Sequence, residues 1–402
     1  MTELESEHVS MRERSQQVER PPQQRPSPPP VDLAARPYIG GQAVLEGVMM
    51  RAPRSFAIVV RRRDGSLFVR ERGITDERRG IRRWPLVRGV SSLVESLRLG
   101  SESLRFSVEQ MEKDLIAADE ESARKASHGL SALSAFGLSL FSMLTADDGQ
   151  GVGAGEGEKK GSRAAMGVML VFAIAFLIAL PQAVAAGINR LFHLGLEVQS
   201  PMFQVITGIF KLTVVVGYML LIRRVPDIRR VFQYHGAEHK TISTYEAGEE
   251  LVVANARTKT TLHPRCGTTF LVMVALVSIL VFTAIGGLLP RIHTGSALAD
   301  NVLFFFEKLP FLPLIAAVTF EIQRVFARYC TTGPLRALLW PGFVVQKITT
   351  IEPDHAQLEV ALASLRATLF REHGEVPELA DDVRFESYEA LSAASTLRTK
   401  AT

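Results

Sequence analysis

Apolar residues along the chain gather into four long runs separated by polar stretches. The first, Ala164 to Ile188, contains MGVMLVFAIAFLIALPQAVAAG without a charge, and the second, Met202 to Ile222, is interrupted only by Lys211. The third, Thr268 to Leu289, is uncharged and rich in Val, Leu and Ile. The fourth, Val302 to Val325, carries Glu307, Lys308, Glu321 and Arg324. A hydrocarbon layer ~30 Å thick is crossed by ~20 helical residues. The pattern therefore predicts four spans, the fourth only if its ends reach the interface. Buried helices of a soluble core are the alternative, disfavoured because charge-free runs of this length rarely serve there. Pro181, Pro310 and Pro313 predict kinked or broken helices.

Outside the runs the periodicity changes. Phe56 to Arg70, FAIVVRRRDGSLFVR, predicts two strands around the turn pair Asp64-Gly65. Ile81 to Gln110 places Leu86, Val90, Leu93, Val94, Leu97 and Leu104 among Arg82, Arg83, Arg88, Arg98 and Arg105. This is a basic amphipathic helix or helix pair, fit either to lie on an anionic inner leaflet or to pack on the N-terminal part. Asp354 predicts an N-cap for a helix running to Phe370.

The organisation expected is a disordered Pro-rich tail over 1–36, a hairpin and amphipathic-helix region over 37–145, and a Gly-rich linker over 146–163. A membrane domain over 164–330 with a polar loop at 223–267 follows, then a helical segment over 331–372 and a flexible tail over 373–402. The fold class is mainly α: a polytopic helical membrane protein with a small cytoplasmic α+β N-terminal part.

Composition changes this picture little. The 402 residues carry 46 Lys+Arg against 42 Asp+Glu, and 47% are hydrophobic, an average that conceals two opposite kinds of segment. Two cysteines, Cys266 and Cys330, exclude a disulfide framework. The distribution of charge says more. Only Arg190 lies between the first two runs, whereas Arg223, Arg224, Arg229, Arg230, Lys240, Arg257, Lys259 and Arg265 lie between the second and third. The positive-inside rule puts that loop and both termini in the cytoplasm. The first residues, MTELESEHVSMRERSQQ, lack an apolar core, so no signal peptide is expected. The lipid bilayer accounts for the basic bias better than nucleic acid does, because interleaved aromatics are few.

The sharpest chemical signal is Tyr234-His235-Gly236-Ala237-Glu238-His239-Lys240. On a helix, His235 and His239 share a face one turn apart, where two imidazoles can ligate one metal. Glu238 between them is a candidate general base, in the inverted zincin order H-x-x-E-H. Glu246, seven residues beyond His239, is a candidate third ligand. His263 and Cys266 form an H-x-x-C pair immediately before the third run, and imidazole with thiolate suits zinc among divalent metals. Against this stand a structural zinc clamp, solvated histidines, and Cys266 as a small packing residue. A second candidate is GGQAVLEGVMMR at 40–51, whose glycines permit close backbone approach. There Glu46 is either paired with Arg51 or aimed into a site, and the bland reading is a strand-turn-helix entry. The sequence holds no P-loop, G-x-S-x-G, G-x-G-x-x-G or C-x-x-C.

Four separated motifs carry a resemblance. GGQAVLEGVMMR (40–51), YHGAEHKTI (234–242), HPRCGTTF (263–270) and PGFVVQKITTIEPDHAQLEVA (341–361) together make residues 37–370 similar to the YqhQ-like bacterial membrane protein family. Its members are described as a domain of unknown function or a predicted metal-dependent enzyme. The resemblance implies a multi-pass protein of the bacterial inner membrane, with His235, Glu238, His239, His263, Cys266 and Glu46 as motif positions without assigned roles. Where relatives are expected to have Glu before Asn255, this chain has Ala254. Two functions are therefore expected: a metal-dependent hydrolase at the cytoplasmic membrane face acting on a lipid or membrane-protein substrate, or a non-enzymatic scaffold, transporter-like protein or assembly factor with a structural His/Cys loop.

Overall fold

The computed structural model describes residues 37–74, 84–117, 176, 179–290, 294–330, 334–373 and 382–393. The expected N-terminal tail, the Gly-rich linker and most of the first apolar run lie outside them.

The small sheet is an antiparallel meander of five strands in sequence order: β1 (Gly40–Val44), β2 (Gly47–Arg51), β3 (Ser55–Arg61), β4 (Leu67–Gly73) and β5 (Val383–Phe385). The predicted turn is at Asp64-Gly65, with Gly65 at φ +87°. The glycine motif at 40–51 forms a second hairpin, not a strand leading into a helix: Val44 pairs with Gly47, and Glu46 adopts φ +51° in the turn. Gly47 has no room for a side chain, since a Cβ would stand 2.4 Å from the Val59 carbonyl oxygen. Within the stretch expected to be a flexible tail, Val383–Phe385 pairs with β4 and Leu391 is buried. The short strand is too polar to be read as such by itself; the exposed edge of β4 gives it a partner.

β3 is buried from Ser55 to Val60, because both faces of the sheet are covered. On one face Val48, Met50, Ala57 and Val59 pack with Tyr234, Ala237 and Ile242 of helix α4 (Pro226–Glu246) and with Leu358, Leu362 and Leu365 of helix α10 (His355–His373). On the other, Met49, Phe56, Ile58 and Val60 meet Leu99 and Phe106 of helix α1 (Val87–Ala117). Asp354 and Gln357 close a reciprocal cap on α10, each backbone N–H donating to the other's side chain at 2.9 and 2.8 Å.

The helical part comprises α2 (Leu180–Leu191), α3 (Pro201–Ile222), α5 (Val253–Thr258), α6 (Gly267–Ile285), α7 (Ala297–Lys308), α8 (Leu312–Tyr329) and α9 (Trp340–Thr349). Three helical stretches among the described residues are long and apolar enough to cross a membrane: Pro201–Ile222, Gly267–Ile285 and Ala299–Phe326. The last joins α7 and α8 through a 3-10 turn at Leu309–Phe311, where Pro310 and Pro313 interrupt the α-helical hydrogen bonds. α1 divides its contacts. Its C-terminal half covers the sheet, while Arg88 makes a two-pronged pair with Glu321 of α8 at 2.7 and 2.5 Å. The helix thus links the sheet to a stretch of membrane-crossing length.

Candidate metal centre

α4 begins three residues after α3, at Pro226, whose missing N–H costs nothing in a helix's first turn. Its middle is unusually buried for a polar sequence: every residue from Tyr234 to Ile242 is buried. Three devices hold it. Glu46 receives Arg230 through both of its oxygens, and the Tyr234 hydroxyl donates to the same carboxylate at 3.2 Å. Lys240 reaches outward to the Arg257 carbonyl at 3.0 Å and Glu352 at 2.6 Å. Gly236 lies so close to the chain after α9 that a Cβ would stand 2.1 Å from the Ile351 carbonyl oxygen.

Within this frame the rings of His235 and His239 stack one turn apart, with centroids 4.4 Å apart. His235 Nδ1 donates to the Thr349 carbonyl at 2.9 Å, and His239 Nδ1 donates to the Thr261 carbonyl at 2.5 Å. A carbonyl only accepts, so each Nδ1 carries a hydrogen and Nε2 is the nitrogen each ring turns inward, the orientation typical of metal-ligating histidine. Cys266 caps the N-terminus of α6, and its Sγ lies 3.1 Å from His235 Nε2. One donor atom from each of His235, His239 and Cys266 falls within 4.8 Å of the other two. His239 Nε2 is buried with no hydrogen-bond partner among the described residues.

The electrostatics follow from that proximity. Burial opposes an imidazolium at His235, but the Cys266 sulphur, Glu238 and the Thr349 carbonyl together outweigh it and the group is pushed up to about 9. Burial would raise the Cys266 thiol, yet His235 and His239 beside it hold it well below the ordinary thiol range. Glu238 is raised by burial against the pull of both imidazoles. Its side chain rests on β1, where a Cβ at Gly41 would stand 2.7 Å from Glu238 Cγ. The glycine motif at 40–51 therefore makes room for the carboxylate of the histidine motif.

The remaining candidates are placed differently. Glu246 shares the helical face of His239, but seven residues advance a helix by roughly 10 Å, and Glu246 pairs instead with Arg265 and His263. His263 is pushed down to about 4 by burial and is neutral; its Nε2 donates to Glu246 at 3.2 Å and its Nδ1 accepts from the Arg265 N–H at 3.4 Å. Both nitrogens are thus engaged. Arg51 pairs with Glu95 at 2.6 Å, not with Glu46. Several contributors carried no distinct signal in the sequence. Gln346 on α9 accepts from the His263 N–H at 2.8 Å and donates to the His263 carbonyl at 2.8 Å, and Thr268 lies 3.0 Å from Cys266 Sγ. Gln346 and Thr349 fall three apart on α9, so one face of that helix presents both toward the site.

Fold and site define a mainly helical protein with three helices of membrane-crossing length and a buried His/His/Cys cluster held against a small sheet. Residues 84–371 match the family described as protein of unknown function (DUF1385), and the chain belongs to that family. It is 29% identical over 338 residues to "Uncharacterized protein YqhQ" of Bacillus subtilis (strain 168), covering 83% of this chain and 92% of that protein. No solved structure matches the chain.

Proposed function

We propose that the chain is a metal-dependent hydrolase of the bacterial inner membrane, multi-pass with both termini cytoplasmic and its site at the cytoplasmic face. The observation that carries this is the convergence of His235 Nε2, His239 Nε2 and Cys266 Sγ, with the His239 nitrogen buried and without a geometric hydrogen-bond partner among the described residues. Two imidazoles and a thiolate suit zinc, and three protein ligands leave a fourth position for substrate or water. A divalent ion held there supplies Lewis acidity, drawing the pKa of a coordinated water toward neutrality. Thr349 and Thr261 fix the two ring orientations through their carbonyls. Glu238, buried beside both imidazoles, would be the residue to accept a proton from a water attacking an ester or amide. Cys266 opens directly onto α6, so a lipid-like or membrane-embedded substrate fits the site's position.

A structural clamp is the second reading. The cluster ties α4 to the segment before α6 and to the end of α9, and all three of its residues are buried. One experiment separates these readings. Detergent-purified protein, prepared without chelator, is analysed for metal as wild type, as the His235→Ala/His239→Ala double variant, and as Glu238→Gln. The proposal expects about one zinc-class ion per chain, lost in the double variant and retained in Glu238→Gln, which loses hydrolysis of an ester panel. No bound ion in wild type after metal is added back overturns the metal-dependent hydrolase and leaves the clamp held by its own hydrogen bonds. Metal retained with unchanged hydrolysis in Glu238→Gln overturns the catalytic one.

A further inference from the structure

The apolar helices hold a second polar cluster, which shares no residue with the His/Cys site. Gln204, Thr207 and Lys211 of α3, Ser278 and Phe282 of α6, and Lys308 at the end of α7 line a single cavity. Gly208 brings its two helix walls together, since a Cβ there would stand 2.2 Å from Ile279 Cγ1. Lys211 Nζ donates to Ser278 Oγ at 3.3 Å. Lys308, 5% exposed, donates to Gln182 Oε1 of α2 at 3.2 Å, with Phe304 and Phe282 ring centroids at 4.4 and 5.4 Å. The two lysine side chains thus reach one and the same cavity.

The acceptors around them do not balance this charge. No carboxylate lines the cavity, and neither lysine forms an ion pair among the described residues. The apolar stretch leading to α2, Gly161 to Leu180, contains no Asp or Glu. The neighbouring donors are already used. The Ser278 hydroxyl donates to the Ala275 carbonyl at 2.7 Å, the Thr207 hydroxyl to Phe203 at 2.8 Å, and the Gln182 amide to Asn301 at 2.6 Å. What the cavity offers an occupant is therefore two lysine Nζ groups, whose hydrogen-bond partners among the described residues are Ser278 and Gln182 alone. Charged side chains in spanning segments face the interior and are retained where they pair or bind.

We propose that Lys211 and Lys308 hold a small inorganic anion of the halide class within the spanning helices. A lipid phosphate shares the chemistry but fits the position less well. Lys211 is midway along the 22-residue α3, roughly 15 Å from either end at the helical rise, and the space is on the scale of a single water, far short of a phosphate ester.

The test is equilibrium binding of radiolabelled chloride to the full-length protein in detergent, comparing wild type with Lys211→Met and Lys308→Met. Methionine keeps the length and apolar packing of the lysine stem while removing the charge. Wild type is expected to bind chloride saturably, with displacement by bromide but not by gluconate. Each variant is expected to weaken binding at least tenfold while eluting as wild type. Chloride should also raise the wild-type melting temperature above that in gluconate of equal ionic strength, and this arm stands even if a variant fails to fold. Absence of saturable binding to folded wild type overturns the proposal, as does binding unchanged in both folded variants. Co-purified phospholipid lost in both variants, without chloride binding, overturns it in favour of a lipid phosphate.

Discussion

Placing alanine at Gly236 puts a methyl group 2.1 Å from the Ile351 carbonyl oxygen and 3.3 Å from Thr261 Cγ2. A carbon and a carbonyl oxygen ordinarily meet at about 3.3 Å, so α4 and the 350–352 segment must separate by about 1.2 Å. Backbone lies on the other side of the clash, and no side-chain rotation relieves it. Ile351 N–H donates to the Phe232 carbonyl at 2.9 Å, and that bond breaks as the segment moves. Overpacking costs about 1–3 kcal/mol and the lost hydrogen bond about 1. The better helix propensity of alanine returns about 1, leaving a net destabilisation of about 1–3 kcal/mol. The displaced segment adjoins Thr349, whose carbonyl orients His235. Gly236→Ala is therefore expected to lower the melting temperature in detergent by several degrees and to weaken metal binding, measured by competition with a chromophoric chelator. Gly217→Ala on α3, where a Cβ would meet nothing within 4 Å, is the matched control and should be nearly silent. Unchanged melting in Gly236→Ala would refute the close-contact argument.

Two further outcomes follow from other parts of the fold. In a double-mutant cycle with Glu46→Gln and Arg230→Met, the pair should couple by about 1 kcal/mol or less. Arg230 is 48% exposed, and solvent screens it; a coupling indistinguishable from zero would remove this contact from what holds α4 to the β1–β2 hairpin. His263 supplies a pH signature. Its pKa falls from 6.5 unfolded to about 4 folded because the ring is buried. The unfolded chain therefore binds the proton first, and stability is full above about pH 6.5 and declines as pH falls toward about 4. The loss is on the order of 3 kcal/mol by linkage. Melting temperatures of wild type and His263→Asn between pH 7 and pH 4 should converge in slope only if another group carries the effect.

The sequence by itself determined the elements whose cause is local. The apolar runs at 202–222, where Lys211 is the one charge, and at 268–289 correspond to helices of membrane-crossing length, because a helix satisfies its backbone groups within the segment itself. Asp64-Gly65 specified its hairpin, and Asp354 its helix cap, through bonds between near neighbours. The i, i+4 spacing of His235 and His239 already placed two imidazoles on one face.

Tertiary structure decided which residues join them. Cys266 reaches His235 only because the segment before α6 folds back on α4, 31 residues away. Glu246 shares the right face yet lies two turns too far, and Arg265 and His263 from that same segment engage it. Glu46 meets Arg230 across 184 residues, which no spacing rule anticipates. Val383–Phe385 becomes a strand because β4 offers it an open edge. Lys211 and Lys308 look like two isolated flaws in separate apolar runs, and only the packing of α3, α6 and α7 puts them in one cavity. Local bonds are set by short spacing and intrinsic preference, whereas these contacts depend on how distant elements pack.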